Sequence, residues 1–209
     1  MKKSILALCA LTLAAGLSAC GGGTSSYTIG GTVVGLQYPG LVLQNNLAND
    51  LAITPLPLDG TNVRNVDYSF PNEVDYGDPY SVTVKSQPQH QNCGPSSGTA
   101  DTAGRLSVIS AVIACSLVSN TIGGTITGLT SEGLILTNGT NGGTVPVSKV
   151  NDVYPGTFTF ALPVTYNQTY GVTVLQQPAT QTCSVANGTG TMGDNKVDTI
   201  VVTCVNNAT

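Results

Sequence analysis

Ser96 and His90 are the two residues that the sequence singles out as candidates for catalysis. Ser96 lies in the segment Gly94–Gly98, which matches the G-x-S-x-G pattern of serine hydrolases, and His90 is the only histidine. In such hydrolases the serine follows a strand and precedes a helix, and the histidine that accepts its proton comes later in the chain. Here the histidine comes first and no helical pattern follows the serine. We therefore expect a loop at Gly94–Gly98, a surface loop histidine at position 90, and no hydrolase.

The one dense acidic segment, Pro71–Tyr80, offers the oxygen ligands that calcium prefers. Its candidate calcium ligands are Asn72, Glu73, Asp75 and Asp78. Their spacing is not that of an EF-hand loop, and the matching stretch 161–170 contains no acidic residue. A calcium site and a solvated loop between strands both remain open.

The N-terminus has the layout of a secretory signal. Lys2 and Lys3 precede a mostly apolar run of 13 residues, Ile5–Leu17, and small residues follow it. The run is shorter than the about 20 apolar residues that a membrane-spanning helix needs. We expect residues 1–19 to be a signal peptide that is removed.

The end of this signal resembles the bacterial lipobox. The residues are Leu17-Ser18-Ala19-Cys20, and in the lipobox the cysteine is acylated and becomes the new N-terminus. The resemblance implies that Cys20 anchors the protein in a membrane through lipid, and Gly21 in place of aspartate implies sorting to the outer membrane. Residues 20–26 are rich in Gly and Ser and are expected to form a flexible tether. The alternative is a soluble secreted protein with a conventional cleavage site.

Two copies of one sequence pattern fill the rest of the chain. The segment Thr28–Leu36, TIGGTVVGL, recurs as Thr121–Leu129, TIGGTITGL. Similar matches continue through each copy with small changes in offset, so the copies differ by short insertions. We place the repeats at residues 27–118 and 119–209.

Besides Cys20, the cysteines lie in the signal and in the repeats. Cys9 would leave with the signal, and each repeat holds two, Cys93 with Cys115 and Cys183 with Cys204. The register of the repeats selects one pairing from the three that four cysteines allow, with one disulfide inside each repeat. Each bridge would contribute roughly 3 kcal/mol in the chain-entropy description. A four-thiolate metal site is not expected, because no C-x-x-C pair is present.

The elements that carry these residues are predicted to be strands. Short runs rich in Val, Ile, Thr, Tyr and Leu alternate with Gly, Pro, Asn and Asp through both repeats. In Tyr80–Val84 and Tyr170–Val174 apolar side chains occupy alternate positions, as on a strand with one face against a core. We predict an all-β fold of two tandem Ig-like or prealbumin-like β-sandwich domains, with about seven strands in each.

The ordered motifs resemble a repeat found in proteobacterial lipoproteins. They are GGTxxGL, GLxL, YxVTVxxQP, QxC and VxxC, and they cover residues 27–205. The resemblance implies an accessory β-sandwich module of an outer-membrane-type lipoprotein, without a catalytic motif.

The amino-acid composition disfavours a nucleic-acid-binding function. Charged residues make up 9 % of the chain, against about 25 % in average soluble proteins, and no Lys and Arg cluster suits nucleic acid. We expect a non-enzymatic envelope protein, lipid-anchored in the outer membrane, that acts as a structural or binding module without a cofactor. Its partner would be an envelope protein. The alternatives are adhesin-like binding of an extracellular glycan or of calcium, and a hydrolase using Ser96.

Overall fold

The structure is a computed structural model and describes residues 25–208. The predicted signal peptide and Cys20 lie outside the described residues. The regular structure within this range consists of strands, ten in residues 25–118, here called the first half, and ten in residues 119–208, the second half. The strands of the first half are β1 (Ser26–Tyr27), β2 (Gly30–Val34), β3 (Leu41–Asn45), β4 (Ala48–Ile53), β5 (Val66–Ser69), β6 (Val74–Asp75), β7 (Pro79–Ser86), β8 (Gln91–Ser97), β9 (Ala100–Thr102) and β10 (Ala111–Leu117). The strands of the second half are β11 (Ser119–Asn120), β12 (Ile122–Thr127), β13 (Ile135–Asn138), β14 (Thr144–Pro146), β15 (Thr157–Thr159), β16 (Val164–Thr165), β17 (Thr169–Gln176), β18 (Gln181–Ala186), β19 (Thr189–Thr191) and β20 (Val197–Asn206).

Each half is a sandwich of two four-stranded sheets. In the first half the sheets have the orders β5-β2-β10-β8 and β4-β3-β7-β9, and in the second half the orders β15-β12-β20-β18 and β14-β13-β17-β19. A two-stranded pair, β1 with β6 or β11 with β16, completes each half. The predicted all-β fold of two tandem β-sandwiches is confirmed. Each half has ten strands instead of the predicted about seven, because strands of two or three residues leave no periodic pattern in a sequence.

The cores follow the alternation of apolar side chains. Tyr80 and Val82 on β7 are 3 % and 1 % exposed, and they pack in one cluster with Val33 of β2 and Ile113 of β10. The buried cluster of the second half is made of residues between 122 and 204, and the two clusters share no residue. Each half therefore buries its own apolar core.

The first long strand of each half pairs in parallel with the last one. Thus β2 lies beside β10, with Gly31 opposite Ala111, and β12 lies beside β20, with Gly124 opposite Ile200. A Cβ added at Gly31 would overlap the carbonyl oxygen of Ala111, and one added at Gly124 would overlap that of Ile200. The second glycine of the GGT motif is thus required by the close approach of these two strands.

One disulfide joins adjacent antiparallel strands in each half. Cys93 on β8 pairs with Cys115 on β10 at a Cα separation of 4.0 Å, and Cys183 on β18 pairs with Cys204 on β20 at 3.9 Å. These are the two bridges that the repeat register predicts. Both stay inside one half, so neither links the two sandwiches covalently.

A buried glutamine explains the QxC motif. Gln91 is 2 % exposed, and its Oε1 accepts hydrogen bonds from the backbone N–H groups of Gln37 and Tyr38 at 2.7 and 3.0 Å. Its Nε2 donates to the carbonyl oxygen of Gly35 at 2.7 Å. Gln181 makes the same three types of bond in the second half. The motif therefore fixes a backbone turn beside the disulfide strand.

Candidate functional site

The structure does not pair Ser96 with His90. Ser96 is exposed on β8, and this strand begins one residue after His90 and runs away from it. Six residues of extended chain separate them by about 20 Å. The predicted loop at Gly94–Gly98 is wrong, because Gly94–Ser97 pair with β10. Pro95 fits there because β8 is an edge strand, which tolerates a missing N–H donor.

The candidate calcium ligands do not converge. Among residues 25–208, no three His, Cys, Asp or Glu side chains are grouped so that they could hold a metal ion. Glu73 instead accepts hydrogen bonds from the hydroxyls of Ser26 and Thr28, the latter at 3.1 Å, and these bonds lower the pKa of its carboxyl. Asn72 donates to Asn49 at 2.6 Å. The calcium site stays a prediction. The contacts of Glu73 attach the segment that contains β1, and the contact of Asn72 joins that residue to β4.

Each sandwich has two ends, which we define by strands β7 and β17. Each of these strands has eight residues, about 26 Å, and runs from one end to the other. The first residues of each half lie at one end of its sandwich, which we call the leading pole. The opposite end is the trailing pole. Backbone pairing and hydrogen bonds join the segments of each pole. The leading poles comprise residues 25–28, 74–78 and 103–110 in the first half and residues 118–121, 164–168 and 192–198 in the second. The trailing poles comprise residues 37–39 and 87–91 in the first half and residues 130–132 and 177–181 in the second.

The trailing pole of the first half meets the leading pole of the second in an aromatic cluster. The His90 ring stacks on the Tyr166 ring with centroids 4.0 Å apart and planes 10° apart. Tyr38 contacts both rings edge-on, at 4.9 Å from His90 and 5.7 Å from Tyr166. The Nδ1–H of His90 donates to the Asp194 carboxylate at 2.8 Å. We call these four side chains the junction cluster.

Backbone bonds hold the same junction. The Val118 N–H donates to the carbonyl of His90 at 2.9 Å, and the Tyr166 N–H donates to the carbonyl of Val118 at 2.8 Å. Burial raises the pKa of the Tyr166 hydroxyl most, and Tyr38 and the negative charge of Asp194 raise it further. The junction cluster can therefore fix the orientation of one half on the other, because stacking and a directed hydrogen bond constrain rotation.

Sequence reasoning missed this site. It treated His90 as an isolated surface residue, yet the side chain of His90 is only 26 % exposed. Its partner Asp194 lies 104 residues away in the chain. No motif or spacing connects the two residues, because their contact depends on how the halves are placed against each other.

No protein-family model matches the chain, and no curated protein shows a significant match to it. The likeness to a proteobacterial lipoprotein repeat therefore rests on the motif residues alone. Within residues 25–208 the chain has no helix of the length and apolarity that crossing a membrane requires.

His90→Ala is expected to free the two halves from their fixed orientation while leaving both folded. The substitution removes the stack on Tyr166 and the hydrogen bond to Asp194, and neither belongs to a core. In residual dipolar coupling measurements the native protein should fit one alignment tensor and the variant two. Unfolding free energies should change by no more than about 1 kcal/mol.

Thr180→Ala is the matched control, because Thr180 holds the position of His90 at the trailing pole of the second half. It should keep the single tensor. A single tensor in His90→Ala as well would show that the backbone bonds at Val118 alone set the orientation.

Proposed function

We propose that this chain is a lipid-anchored, non-enzymatic protein of the outer membrane, in which two disulfide-bonded sandwiches serve as a structural or binding module. The observation that carries the proposal is the position of Cys20. It follows Leu-Ser-Ala directly and precedes the first strand, which begins at Ser26, by six residues. Lipid on Cys20 would therefore hold the first sandwich close to a membrane.

Redox chemistry supports the compartment. Disulfides persist in the periplasm and at cell surfaces and are rare in the cytosol. The structure has one in each half, and both cysteine pairs face each other across adjacent strands. Both bridges suit a protein exported by the predicted signal.

The chemistry of the described side chains supports a module rather than a catalyst. His90 is bound to Asp194 and lies about 20 Å of extended chain from Ser96. The strands of both halves contribute most of the apolar side chains that form the two cores. Binding would therefore use the poles and loops, where side chains are exposed.

The test is the mass of the mature N-terminus after expression of the full chain in a Gram-negative host. We expect a chain that begins at Cys20 and carries acyl groups. Cys20→Ser should lose the lipid and leave the membrane fraction, and Cys9→Ser, with its substitution inside the signal, should keep both. An N-terminus that begins elsewhere without lipid would contradict the proposal.

A protease experiment then separates the two kinds of partner. Digestion of the sandwiches on intact cells would favour an external ligand. Protection until the cells are permeabilised would favour a partner in the periplasm.

A further inference from the structure

The leading pole of the first half exposes a group of apolar side chains. Tyr76, Leu106 and Val108 are 66 %, 59 % and 72 % exposed. The Tyr76 ring packs against Gly104, because a Cβ added at Gly104 would lie 2.5 Å from the Cε2 of Tyr76. The centroids of the Tyr76 and Tyr27 rings are 6.4 Å apart. The pole thus presents an aromatic ring and two aliphatic side chains from a structured surface.

The same pole of the second half is already an interface. Tyr76 and Tyr166 occupy matching positions, since the N–H of Tyr76 donates to the carbonyl of Ser25 as that of Tyr166 donates to Val118, both at 2.8 Å. Tyr166 contacts the first half through the junction cluster. The pole is therefore a contact surface in one copy and is exposed in the other.

The leading poles of the two halves carry different side chains. Gly104 of the first half matches Gly193 of the second, so Arg105 stands where the second half has Asp194, and Leu106 stands where it has Asn195. The first half thus has a cation and an aliphatic side chain where the second has an acid and an amide. Aromatic, aliphatic and arginine side chains together suit the interface of a phospholipid bilayer.

The predicted lipid anchor on Cys20 limits the distance between this pole and the membrane. Cys20 precedes Ser25 by five residues, which span at most about 18 Å when fully extended. Ser25 is bonded to Tyr76. A lipid on Cys20 therefore keeps Tyr76 near the membrane surface, where the tether makes the effective concentration of lipid high.

We infer that the leading pole of the first half docks on the phospholipid surface that holds Cys20, with Tyr76, Leu106 and Val108 in the headgroup region. The inference rests on the proposed lipid anchor.

Zwitterionic headgroups are the expected partner, because the charge of Arg105 is neutralised and the other charged side chains at this pole are acidic. Arg105 is paired with Asp101 at 3.0 Å, and further acidic side chains lie at or beside the same pole. These are Glu73, which bonds to Ser26, Asp75, which lies opposite Ser26, and Asp78, whose backbone carbonyl accepts a hydrogen bond from Ala103.

A second copy of the chain fits this pole less well. The surface that receives Tyr166 contains Tyr38 and His90. At the trailing pole of the second half the matching residues are Ser131 and Thr180. This pole lacks the rings that a head-to-tail copy would need.

Tryptophan fluorescence tests the inference, because the chain contains no Trp. Tyr76→Trp is made in the full-length lipidated protein and reconstituted in phosphatidylcholine vesicles whose acyl chains are brominated near the headgroup. We expect a blue shift and strong quenching of Trp emission. Leu106→Trp is a second probe at the same pole that leaves the packing of Tyr76 on Gly104 intact, and it should also be quenched.

Val205→Trp is the control. Val205 is 60 % exposed and lies on β20 opposite Thr182, next to the trailing pole of the second half. Its emission should be insensitive to brominated lipid. Replacing a third of the phosphatidylcholine by phosphatidylglycerol should weaken quenching at both leading-pole probes, because acidic residues surround them.

Mass spectrometry of the same sample separates the possible failures. If Cys20 carries lipid and neither leading-pole probe is quenched more than Val205→Trp, the docking inference is wrong and the anchor stands. If Cys20 carries no lipid, the proposed function fails and the docking inference fails with it. Stronger quenching in anionic vesicles would overturn the assignment of zwitterionic headgroups.

Discussion

Gly124→Ala is expected to destabilise the second half by about 3 kcal/mol or more, which is a large part of the stability of a small domain. The added Cβ would overlap the Ile200 carbonyl oxygen and lie 2.6 Å from the carbonyl carbon. Both atoms belong to the backbone of β20, the central partner of β12. The backbone in the middle of a sheet cannot rotate out of the way as a flexible side chain would. The Cβ can therefore be accommodated only if β12 and β20 move apart and lose hydrogen bonds between them.

Hydrogen exchange in increasing urea measures this effect, because it reports on each half separately. Amides of β12 and β20 should lose protection at lower urea in Gly124→Ala, while those of the first half keep theirs. Gly171→Ala is the control in the same half, since nothing lies within 4 Å of its added Cβ. Its effect should stay within about 1 kcal/mol. Equal effects of the two substitutions would contradict the close approach of β12 and β20 as the reason for glycine at position 124.

This glycine shows what local patterns can and cannot predict. The repeat places GGT at residues 30–32 and 123–125, yet the reason for the second glycine is a strand about 76 residues further along, with which it pairs in parallel. Alternation along β7 predicted that Tyr80 and Val82 face a core, because that signal is local. The disulfides were predictable because repetition supplies the long-range information that a single copy lacks.

The candidate site was less predictable for a related reason. Gly and Pro in Gly94–Gly98 indicate a loop, but β8 is an edge strand, whose free side does not need every N–H. Clustered carboxylates in Pro71–Tyr80 predict a cation site, and that local pattern does not show that Glu73 accepts hydrogen bonds from hydroxyls of a segment 45 and 47 residues earlier. His90 and Asp194 meet only through the placement of the halves. Each of these outcomes depends on a contact between distant segments.

Gln91→Ala is expected to destabilise the first half by about 3 kcal/mol, because it leaves three backbone groups without their partner and each costs about 1 kcal/mol or more when buried. These groups are the N–H groups of Gln37 and Tyr38 and the carbonyl of Gly35. The side chain that is lost is 2 % exposed. The measurement is again hydrogen exchange in urea, with early loss of protection in the first half and none in the second.

Gln91→Ala should also loosen the orientation of the second half on the first. Gln91 fixes the segment that carries Tyr38, and the Tyr38 ring contacts both His90 and Tyr166 in the junction cluster. A variant that still folds in the absence of urea should therefore show two alignment tensors, as His90→Ala should. Gln89→Ala, at an exposed position two residues away, is the control and should change neither stability nor orientation. Loss of stability with a single tensor retained would show that the junction cluster holds without this support. Stability equal to that of Gln89→Ala would mean that water replaces all three bonds, and the QxC motif would then need another explanation.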